Sequence, residues 1–401
     1  MNEGLNDAAA AGKIAWQQAV IDSLHGKPLD NLAAATSEGI TLQPLYTSAD
    51  TADLSAIETS PGSAPFLRGV RTAGYLQQPW LVAQELSLPT PSRFNAAVLA
   101  ALDNGQTAVN IVTDAPTKAG LDPEQAEAGS IGRGGVSLAT TLDWQTLLRD
   151  IGSDVPLFIQ QPTSPLPVFA LLIAHLRSTR TESTTLSGWL VNDPYAEWAT
   201  AGTLPLPLNR MLDESAQTAR WGAQNTPHFA TLAVNVTVHA DAGANAVQEL
   251  AFMLATAVQL IRDMQQRGLA IATIAPQMRV AMAIGPQFLM EIAKFRAARL
   301  LWSQVIAAFG GDAASQRIAI HARTGRYNKT ALAPSVNMLR ATTEALSAVL
   351  GGVDSLHVAP FDEPGDTPLE WSNRIARNVQ SILREEVDLT RLIDPAGGTW
   401  A

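Results

Sequence analysis

Short β-branched segments alternate with longer helical patterns from about residue 106 onward. The segments are nearly continuous in apolar residues, which is typical of parallel strands that helices cover on both faces. Eight such units in about 250 residues match a closed (β/α)8 barrel, whereas an open doubly wound sheet requires no particular number of strands. The sequence therefore predicts an α/β fold of the (β/α)8 TIM barrel type. The predicted strands are TAVNIVTD (107–114), GVSLATT (135–141), PLFIQQ (156–161), SGWLVND (187–193), TLAVNVTVH (231–239), RVAMAIG (279–285), RIAIHAR (317–323) and DSLHVAP (354–360).

Two long helical patterns support this prediction. Residues 242–268 place their apolar side chains on one stripe, and Gly268 is positioned to end the helix. Residues 286–309 begin with a proline, which the first turn of a helix tolerates, and are followed by two glycines. Both helices are long enough to connect parallel strands.

The first 65 residues differ in composition from the rest of the chain. After a short amphipathic helix at about 9–25, the segment is polar and contains turn residues such as Pro28 and Gly39. Such a segment cannot form a core of its own, so it must lie on another surface. We therefore expect an N-terminal extended arm with a short helix over 1–65 and a barrel domain over 66–401.

Charge and composition exclude several classes of partner. The net charge is −10 and no Lys/Arg cluster occurs, which disfavours nucleic acid and anionic membranes. There are no cysteines, so disulfides and thiolate-based sites are excluded. The N-terminus lacks a signal-peptide pattern, and no apolar run reaches the roughly 18 residues of a membrane span. A cytoplasmic protein is expected.

The carboxyl ends of the strands carry the functional residues in barrels of this kind. Histidines and carboxylates there could hold a Lewis-acidic ion, as in a metal-dependent hydrolase. Histidines at strand ends are also common hydrogen-bonded structural groups, and neither an H-x-H nor an H-E-x-x-H spacing occurs. No metal ligand is therefore assigned. The polar residues at these ends are Asp114, Asn192, Asp193, His239, Asp241, His321, Arg323, His357, Asp362 and Glu363.

Two other catalytic signatures are weak or missing. The glycine-rich segment 129–135 comes before a predicted strand, whereas a phosphate-binding loop lies between a strand and a helix. A tight turn is therefore the favoured interpretation. No G-x-S-x-G motif occurs, so there is no indication of an activated serine.

A series of short motifs runs in order along most of the chain. Single motifs of this length are weak, but their order is specific. The motifs are GKPLDNLAAATSEGITLQPLY (26–46), APFLRG (64–69), QPW (78–80), GSIGRGGVSLATTLDW (129–144), MEIAKFRAARLLW (290–302), SLHVAPFDE (355–363), RIARNVQSILREE (374–386) and DPAGG (394–398). Together they resemble the methylmalonyl-CoA mutase family. The resemblance implies a (β/α)8 barrel through which the pantetheine arm of a CoA ester threads.

The chain departs from the family where the resemblance implies catalytic residues. Aligning the family's RPWTIRQYAG with QPWLVAQELS places Glu85 at the active-site tyrosine. Val191 replaces the glutamine of a Gln-Asn-Asp motif, and the arginine that grips the substrate carboxylate falls at Ala201. Val238 lies at the catalytic histidine. His239 follows one residue later and, on a strand, is expected to face the opposite way. We therefore expect no catalytic residue in this chain.

Three residues match rim residues of catalytic family members: His321, His357 and Glu363. The resemblance implies that Glu363 corresponds to a carboxylate that contacts the adenosyl ribose. Hydrogen bonding at strand ends explains their retention equally well. No D-x-H-x-x-G signature for cobalt ligation occurs, so we expect no cobalamin-binding domain in this chain and no cofactor or metal ion bound to it.

Bacterial members of the family are often heterodimers of a catalytic subunit and a homologous subunit that binds neither substrate nor cobalamin. Segments 192–202, 237–255 and 328–352 resemble the non-catalytic subunit more closely. The resemblance thus implies a small subunit whose partner is the homologous catalytic large subunit, which uses adenosylcobalamin. Two alternatives stay open: a divergent acyl-CoA mutase barrel that binds a CoA ester itself, and a metal-dependent TIM-barrel hydrolase.

Overall fold

The computed structural model describes residues 2–160, 163–365 and 370–398. The chain divides into two compact units. The described part of the first unit comprises residues 2–59 and 396–398, and the second unit is Ser60–Pro395.

The first unit consists of one long helix and several short elements. Helix α1 (Asn2–Ser23) precedes two antiparallel strands, β1 (Ala34–Ala35) and β2 (Thr41–Leu42). None of the side chains described in residues 11–59 is buried, and Ile14 exposes 67% of its surface. This unit therefore gains little stability from apolar burial.

Parallel strands form the centre of the second unit. They are β3 (Leu81–Val82), β4 (Glu85–Leu86), β5 (Val109–Val112), β6 (Leu157–Gln160), β7 (Ser187–Leu190), β8 (His228–Ala230), β9 (Leu232–Asn235), β10 (Met278–Ile284), β11 (Ile320–Thr324) and β12 (Ser355–His357). One five-stranded sheet has the order β3-β12-β11-β10-β9, and the other has the order β4-β5-β6-β7-β8. The predicted α/β fold with parallel strands is confirmed.

The edge strands of the two sheets are consecutive in the chain. Only Ala83 and Gln84 separate β3 from β4, and only Thr231 separates β8 from β9. Ala83 donates its N–H to Leu356 O over 2.9 Å on one side, and Val82 O accepts from Thr107 N over 3.0 Å on the other. The arrangement is TIM-barrel-like.

Helices follow the strands and cover the sheets. They are α2 (Gly74–Gln77), α3 (Pro91–Asp103), α4 (Ala115–Ala119), α5 (Thr141–Leu147), α6 (Pro165–Ser178), α7 (Pro194–Ala201), α8 (Leu208–Asn225), α9 (Thr237–Asp241), α10 (Ala246–Gln266), α11 (Ile271–Ile274), α12 (Phe288–Ala308), α13 (Val336–Leu350) and α14 (Glu370–Glu385). The helices predicted over 242–268 and 286–309 are observed as α10 and α12. Asn245 begins α10 because its side chain accepts from Gln248 N over 2.9 Å.

Two predicted strands are wrong in whole or in part. Residues 135–141 form no strand, and only Val136 bridges Thr113; α5 begins next because Thr140 and Asp143 form a capping box. The strand predicted over 231–239 ends at Asn235, where α9 follows. The extended stretch that holds β3 and β4 was not predicted. Gln161, the last residue of the strand predicted over 156–161, lies outside the described residues.

Buried apolar side chains form three clusters. Two of them join strands to the covering helices, with Trp302 in one and Trp144 in the other. The buried members of the third, which we name the lumen cluster, come from the strands and the residues that flank them, so they fill the space that the strands enclose. The lumen cluster consists of Ala83, Ala108, Phe158, Trp189, Val191, Ala230, Ala233 and Ala281.

Candidate functional site

Charged side chains meet at the carboxyl ends of the strands. We name this group the rim cluster; it consists of Glu85, Asp241, Arg323, Arg326, His357 and Glu363. Arg323, near the end of β11, is its centre. The Arg323 Nε atom lies 3.3 Å from Glu85 Oε1, and its Nη2 atom donates to Glu363 Oε1. The Arg323 side chain is only 7% exposed, so these ion pairs are poorly screened by water.

A second arginine completes the pairing. Arg326 Nη2 donates to Glu363 Oε1 over 2.9 Å, and Arg326 N donates to Asp241 Oδ1 over 2.8 Å. Arg323 Nη1 lies 4.0 Å from Asp241 Oδ2. The two guanidinium groups therefore give each of the carboxylates of Glu85, Glu363 and Asp241 a partner, and they leave a net charge of about one negative unit among these five groups.

His357 is fixed against Glu85 by both of its ring nitrogens. Glu85 N donates to His357 Nδ1 over 3.1 Å, and His357 Nε2 lies 3.7 Å from Glu85 Oε2. Because Nδ1 accepts a hydrogen bond, the neutral ring carries its proton on Nε2. Burial lowers the pKa of His357, although the charge of Glu85 opposes this.

The charges of Glu85, Glu363 and Arg323 remain fixed near neutral pH. Burial raises the pKa of Glu85, but His357 and Arg323 outweigh it and lower this pKa to about 2. The pKa of Glu363 is also lowered, because Arg323 and Arg326 outweigh burial. Burial acts to lower the pKa of Arg323, but its three carboxylate partners have the larger effect. The pKa of Arg323 is therefore raised. Neither glutamate is suited to exchange protons at neutral pH, so the rim lacks an acid–base pair of this kind.

His321 belongs to the lumen and not to the rim. Its ring centroid lies 5.6 Å from that of Phe158 and 5.9 Å from that of Trp189. Its Nδ1 atom is 2.9 Å from Ser355 Oγ, and its buried Nε2 atom has no hydrogen-bond partner among the described residues. Burial lowers the pKa of His321 to about 3, so the ring is neutral at physiological pH.

The other positions at which we expect the sequence to depart from the family lie in different environments. Val191 is buried in the lumen cluster, whereas Ala201 is exposed at the end of α7. Val238 is half-buried in α9. His239 stacks on Phe252 with 4.2 Å between the ring centroids. Because this segment is helical, the strand alternation expected for His239 does not apply.

Two strand-end aspartates are used as helix caps. Asp114 accepts from Thr117 N at the start of α4 and from Gly132 N, which anchors the glycine-rich segment as a turn. Asp193 accepts from Tyr195 N at the start of α7 and from Asn235 N on β9. Burial raises the pKa of Asp193 to about 6, although backbone N–H groups oppose this. These carboxylates stabilise the barrel locally.

The described residues contain no group of three His, Asp or Glu side chains that could hold a metal ion. Within the same ranges of the chain, no helix combines the length and the apolar character of a membrane span.

Three important side chains were not recognised as site residues from the sequence. Phe158 and Trp189 fill the lumen, but no sequence motif pointed to a role in the site for either residue. Arg326 lies two residues after the end of β11, and no sequence motif includes it. A fourth residue, Lys118 of α4, is half-buried at the rim; burial lowers its pKa and Glu197 and Glu85 oppose this.

Fold and site together define a TIM-barrel-like α/β protein with aromatic side chains in its lumen and paired charges at its rim. The methylmalonyl-CoA mutase family model matches residues 35–401, and the chain belongs to this family.

Known relatives support this assignment. The chain is 35% identical over 390 residues to methylmalonyl-CoA mutase of Escherichia coli strain K12, covering 96% of this chain and 55% of that protein. It is 34% identical over 387 residues to the methylmalonyl-CoA mutase large subunit of Streptomyces virginiae, covering 96% and 53%. It is 32% identical over 389 residues to mitochondrial methylmalonyl-CoA mutase of Mus musculus, covering 96% and 52%. The chain spans about half the length of these relatives.

Proposed function

We propose that this chain is the non-catalytic small subunit of a heterodimeric, cobalamin-dependent methylmalonyl-CoA mutase and that it stabilises a homologous catalytic large subunit. In this proposal the partner binds adenosylcobalamin and interconverts methylmalonyl-CoA and succinyl-CoA, and this chain binds neither. The observation that carries the proposal is the aromatic filling of the lumen.

The rings of Phe158, Trp189 and His321 occupy the space through which the family resemblance implies that a pantetheine arm passes. The three side chains come from β6, β7 and β11, and each is at most 5% exposed. Passage of a ligand would require the rings to separate and to lose buried area worth roughly 1.5–3 kcal/mol per large side chain. This cost argues against a CoA ester in the barrel.

The rim does not fit the adenosyl group that the resemblance implies for catalytic members. Glu363 Oε1 accepts from both Arg323 and Arg326. This oxygen is a poor acceptor for ribose hydroxyl groups, and the other oxygen, Oε2, is buried below the surface of the rim. Glu85 also places a fixed negative charge at the position aligned with the family's tyrosine.

The first unit offers an apolar surface for the partner. A segment without buried side chains gains order by packing on another protein, and an obligate interface buries on the order of 2,000 Å² or more. The exposed aliphatic residues of this unit are Ile14, Ile21, Leu32, Ile40, Leu42, Leu54 and Ile57.

Co-expression with the larger homologous subunit from the same genome tests the proposal. We expect the two chains to copurify, and we expect corrinoid and isomerase activity to depend on the larger chain. This chain purified alone is the control and should bind neither a CoA thioester nor a corrinoid. Tight binding of either ligand by this chain alone would contradict the proposal.

A truncation of residues 1–60 tests the role of the arm. The second unit contains all three apolar clusters, so the truncated chain should still unfold cooperatively in urea. Its association with the larger subunit should be lost. Unchanged copurification of the truncated chain would place the interface elsewhere.

One observation favours a second candidate, a divergent acyl-CoA mutase barrel. Lys118 forms no ion pair within the described part of the chain, and Glu363 Oε2 is buried without a hydrogen-bond partner there. Lys118 is half-buried at the rim and could contact a polar ligand directly, and Glu363 Oε2 could do so after its side chain rotates. Calorimetric titration of this chain alone with a CoA thioester distinguishes the two functions, because only the second candidate predicts saturable binding.

A further inference from the structure

A buried ionic cluster lies behind the carboxyl end of β10, outside the rim and the lumen. Lys294 of α12 donates to Glu249 Oε2 over 2.6 Å and to Ala283 O over 2.8 Å. The Lys294 ammonium also lies 2.6 Å from Glu291 Oε2. Glu249, Glu291 and Lys294 are all at most 5% exposed. Two carboxyl groups therefore share one buried ammonium.

The other ion pairs of α12, α13 and β10 do not supply the missing cation. Lys329 donates to both carboxylate oxygens of Glu344, on α13, over 2.7 Å, which is a balanced pair. Arg279 of β10 interacts with Asp354, and Arg296 of α12 pairs with Asp394. The group of Glu249, Glu291 and Lys294 would thus carry one uncompensated negative charge if both carboxyl groups were ionised.

An uncompensated charge in the interior is costly, and a buried acid binds a proton in preference to remaining ionised. We propose that the group of Glu249, Glu291 and Lys294 retains one carboxyl proton at neutral pH and that this proton stabilises the carboxyl end of β10. The proton belongs to the group as a whole, because its members interact strongly. Burial raises the pKa of Glu249, in the same direction as the electrostatic argument.

The cluster acts on the backbone next to the rim. Ala283 N donates to Glu249 Oε1 over 2.8 Å, so the cluster holds both polar backbone atoms of Ala283. Ala283 is paired in register with Arg323. Loss of the proton would leave two carboxylates repelling each other behind this strand end, and it would loosen the support of the rim.

The sign of the pH effect follows from linkage. The folded chain retains a proton that the unfolded chain releases near pH 4.3, the ordinary value for glutamate. The stabilisation is fully present below that pH and is lost as the pH rises through the raised pKa of the folded state. The wild-type chain should therefore lose stability with rising pH relative to a variant that has no proton to lose.

Glu291→Gln supplies that variant, because the amide is neutral and has the same shape. Urea unfolding of the full chain between pH 5 and pH 9 measures the folding constants. We expect the ratio of the wild-type to the variant folding constant to fall by up to tenfold per pH unit until the proton is released. Glu385→Gln, an exposed change on α14, is the matched control and should follow the wild type. Parallel wild-type and Glu291→Gln profiles would overturn the proposal.

Infrared spectroscopy tests the proton without relying on the variant's stability. The wild-type chain at neutral pH should show the C=O stretch of a buried protonated carboxyl group. The contribution of the cluster to this band should be lost in Glu291→Gln and kept in Glu385→Gln, whereas any contribution of Asp193, whose pKa is raised to about 6, should be the same in all three chains. Absence of the band in the wild type would refute the retained proton even if Glu291→Gln does not fold.

Discussion

The lumen cluster and the rim cluster are neighbours on the same strands, but different interactions stabilise them. On β11, His321 lies among aromatic rings, and Arg323, two residues later, lies among carboxylates. The lumen depends mainly on apolar contacts, and His321 is its titratable member. The rim depends on Glu85 and Glu363 remaining ionised. The comparison shows that the lumen is packed as an apolar core, whereas ion pairs hold the rim.

Removing the largest ring from the lumen should have the greatest effect. Trp189→Ala leaves a cavity in a place that the surrounding strands cannot fill, and it should lower the free energy of unfolding by about 3–5 kcal/mol. Urea unfolding at neutral pH measures this loss. A loss below about 1 kcal/mol would indicate that the lumen is loosely packed and would remove the main support for the proposed function.

Removing the central cation of the rim should have a smaller effect. Arg323→Ala leaves Glu85 and Glu363 without their shared partner and should cost about 2–4 kcal/mol, slightly less than a fully buried pair because these glutamates are 20% and 17% exposed. Arg326→Ala is the control, since that side chain is 59% exposed and should cost less than about 1 kcal/mol. Equal losses in the two variants would contradict the central role of Arg323.

His321 should make the lumen sensitive to mild acid. Its folded-state pKa of about 3 lies below the ordinary value of about 6.5, so the unfolded chain binds the proton first as the pH falls. When the pH falls from 7 to 5, the free energy of unfolding of the wild type should decrease by about 2 kcal/mol more than that of His321→Phe. Unfolding free energies of both chains at the two pH values provide the measurement. Identical losses would show that His321 ionises freely in the folded state.

The rim should respond only at lower pH. The folded-state pKa of Glu85 is about 2, so its contribution is present above the ordinary glutamate value of about 4.3 and is lost as the pH falls toward 2. Between pH 4.5 and pH 3 the wild type should lose about 1.5 kcal/mol more unfolding free energy than Glu85→Gln. Acid titration of both chains followed by circular dichroism measures the difference. A larger loss in the variant would contradict the assignment.

Local patterns predicted much of the fold. The apolar runs that contain β5, β6, β7 and β10 were recognised because strands covered on both faces are continuously hydrophobic. The long helices α10 and α12 were recognised from their periodicity. Local patterns failed where tertiary pairing decides the conformation. β3 and β4 are two residues long and are stabilised by neighbouring strands, whereas residues 135–141 lack a second partner strand.

The sequence predicted several residues of the candidate site but not the side chains that they contact. Glu85, His321, His357 and Glu363 were named from the sequence, and the structure brings three of them to the rim cluster. It places His321 deeper, with Phe158. Arg326 could not be recognised, because an arginine in a loop has no signal until the carboxylate that it binds is known.

The sequence by itself determined the class of fold and the family, because these follow from local periodicity and the order of motifs, and through the resemblance it predicted the positions at which polar residues are replaced. Only the tertiary structure decided that the lumen is filled and that the carboxylates of the rim are paired with arginines. Phe158, Trp189 and His321 are far apart in the chain, and the pKa values of Glu85 and His321 depend on burial and on charges from other strands. Such interactions exist only when the sheets bring these segments together.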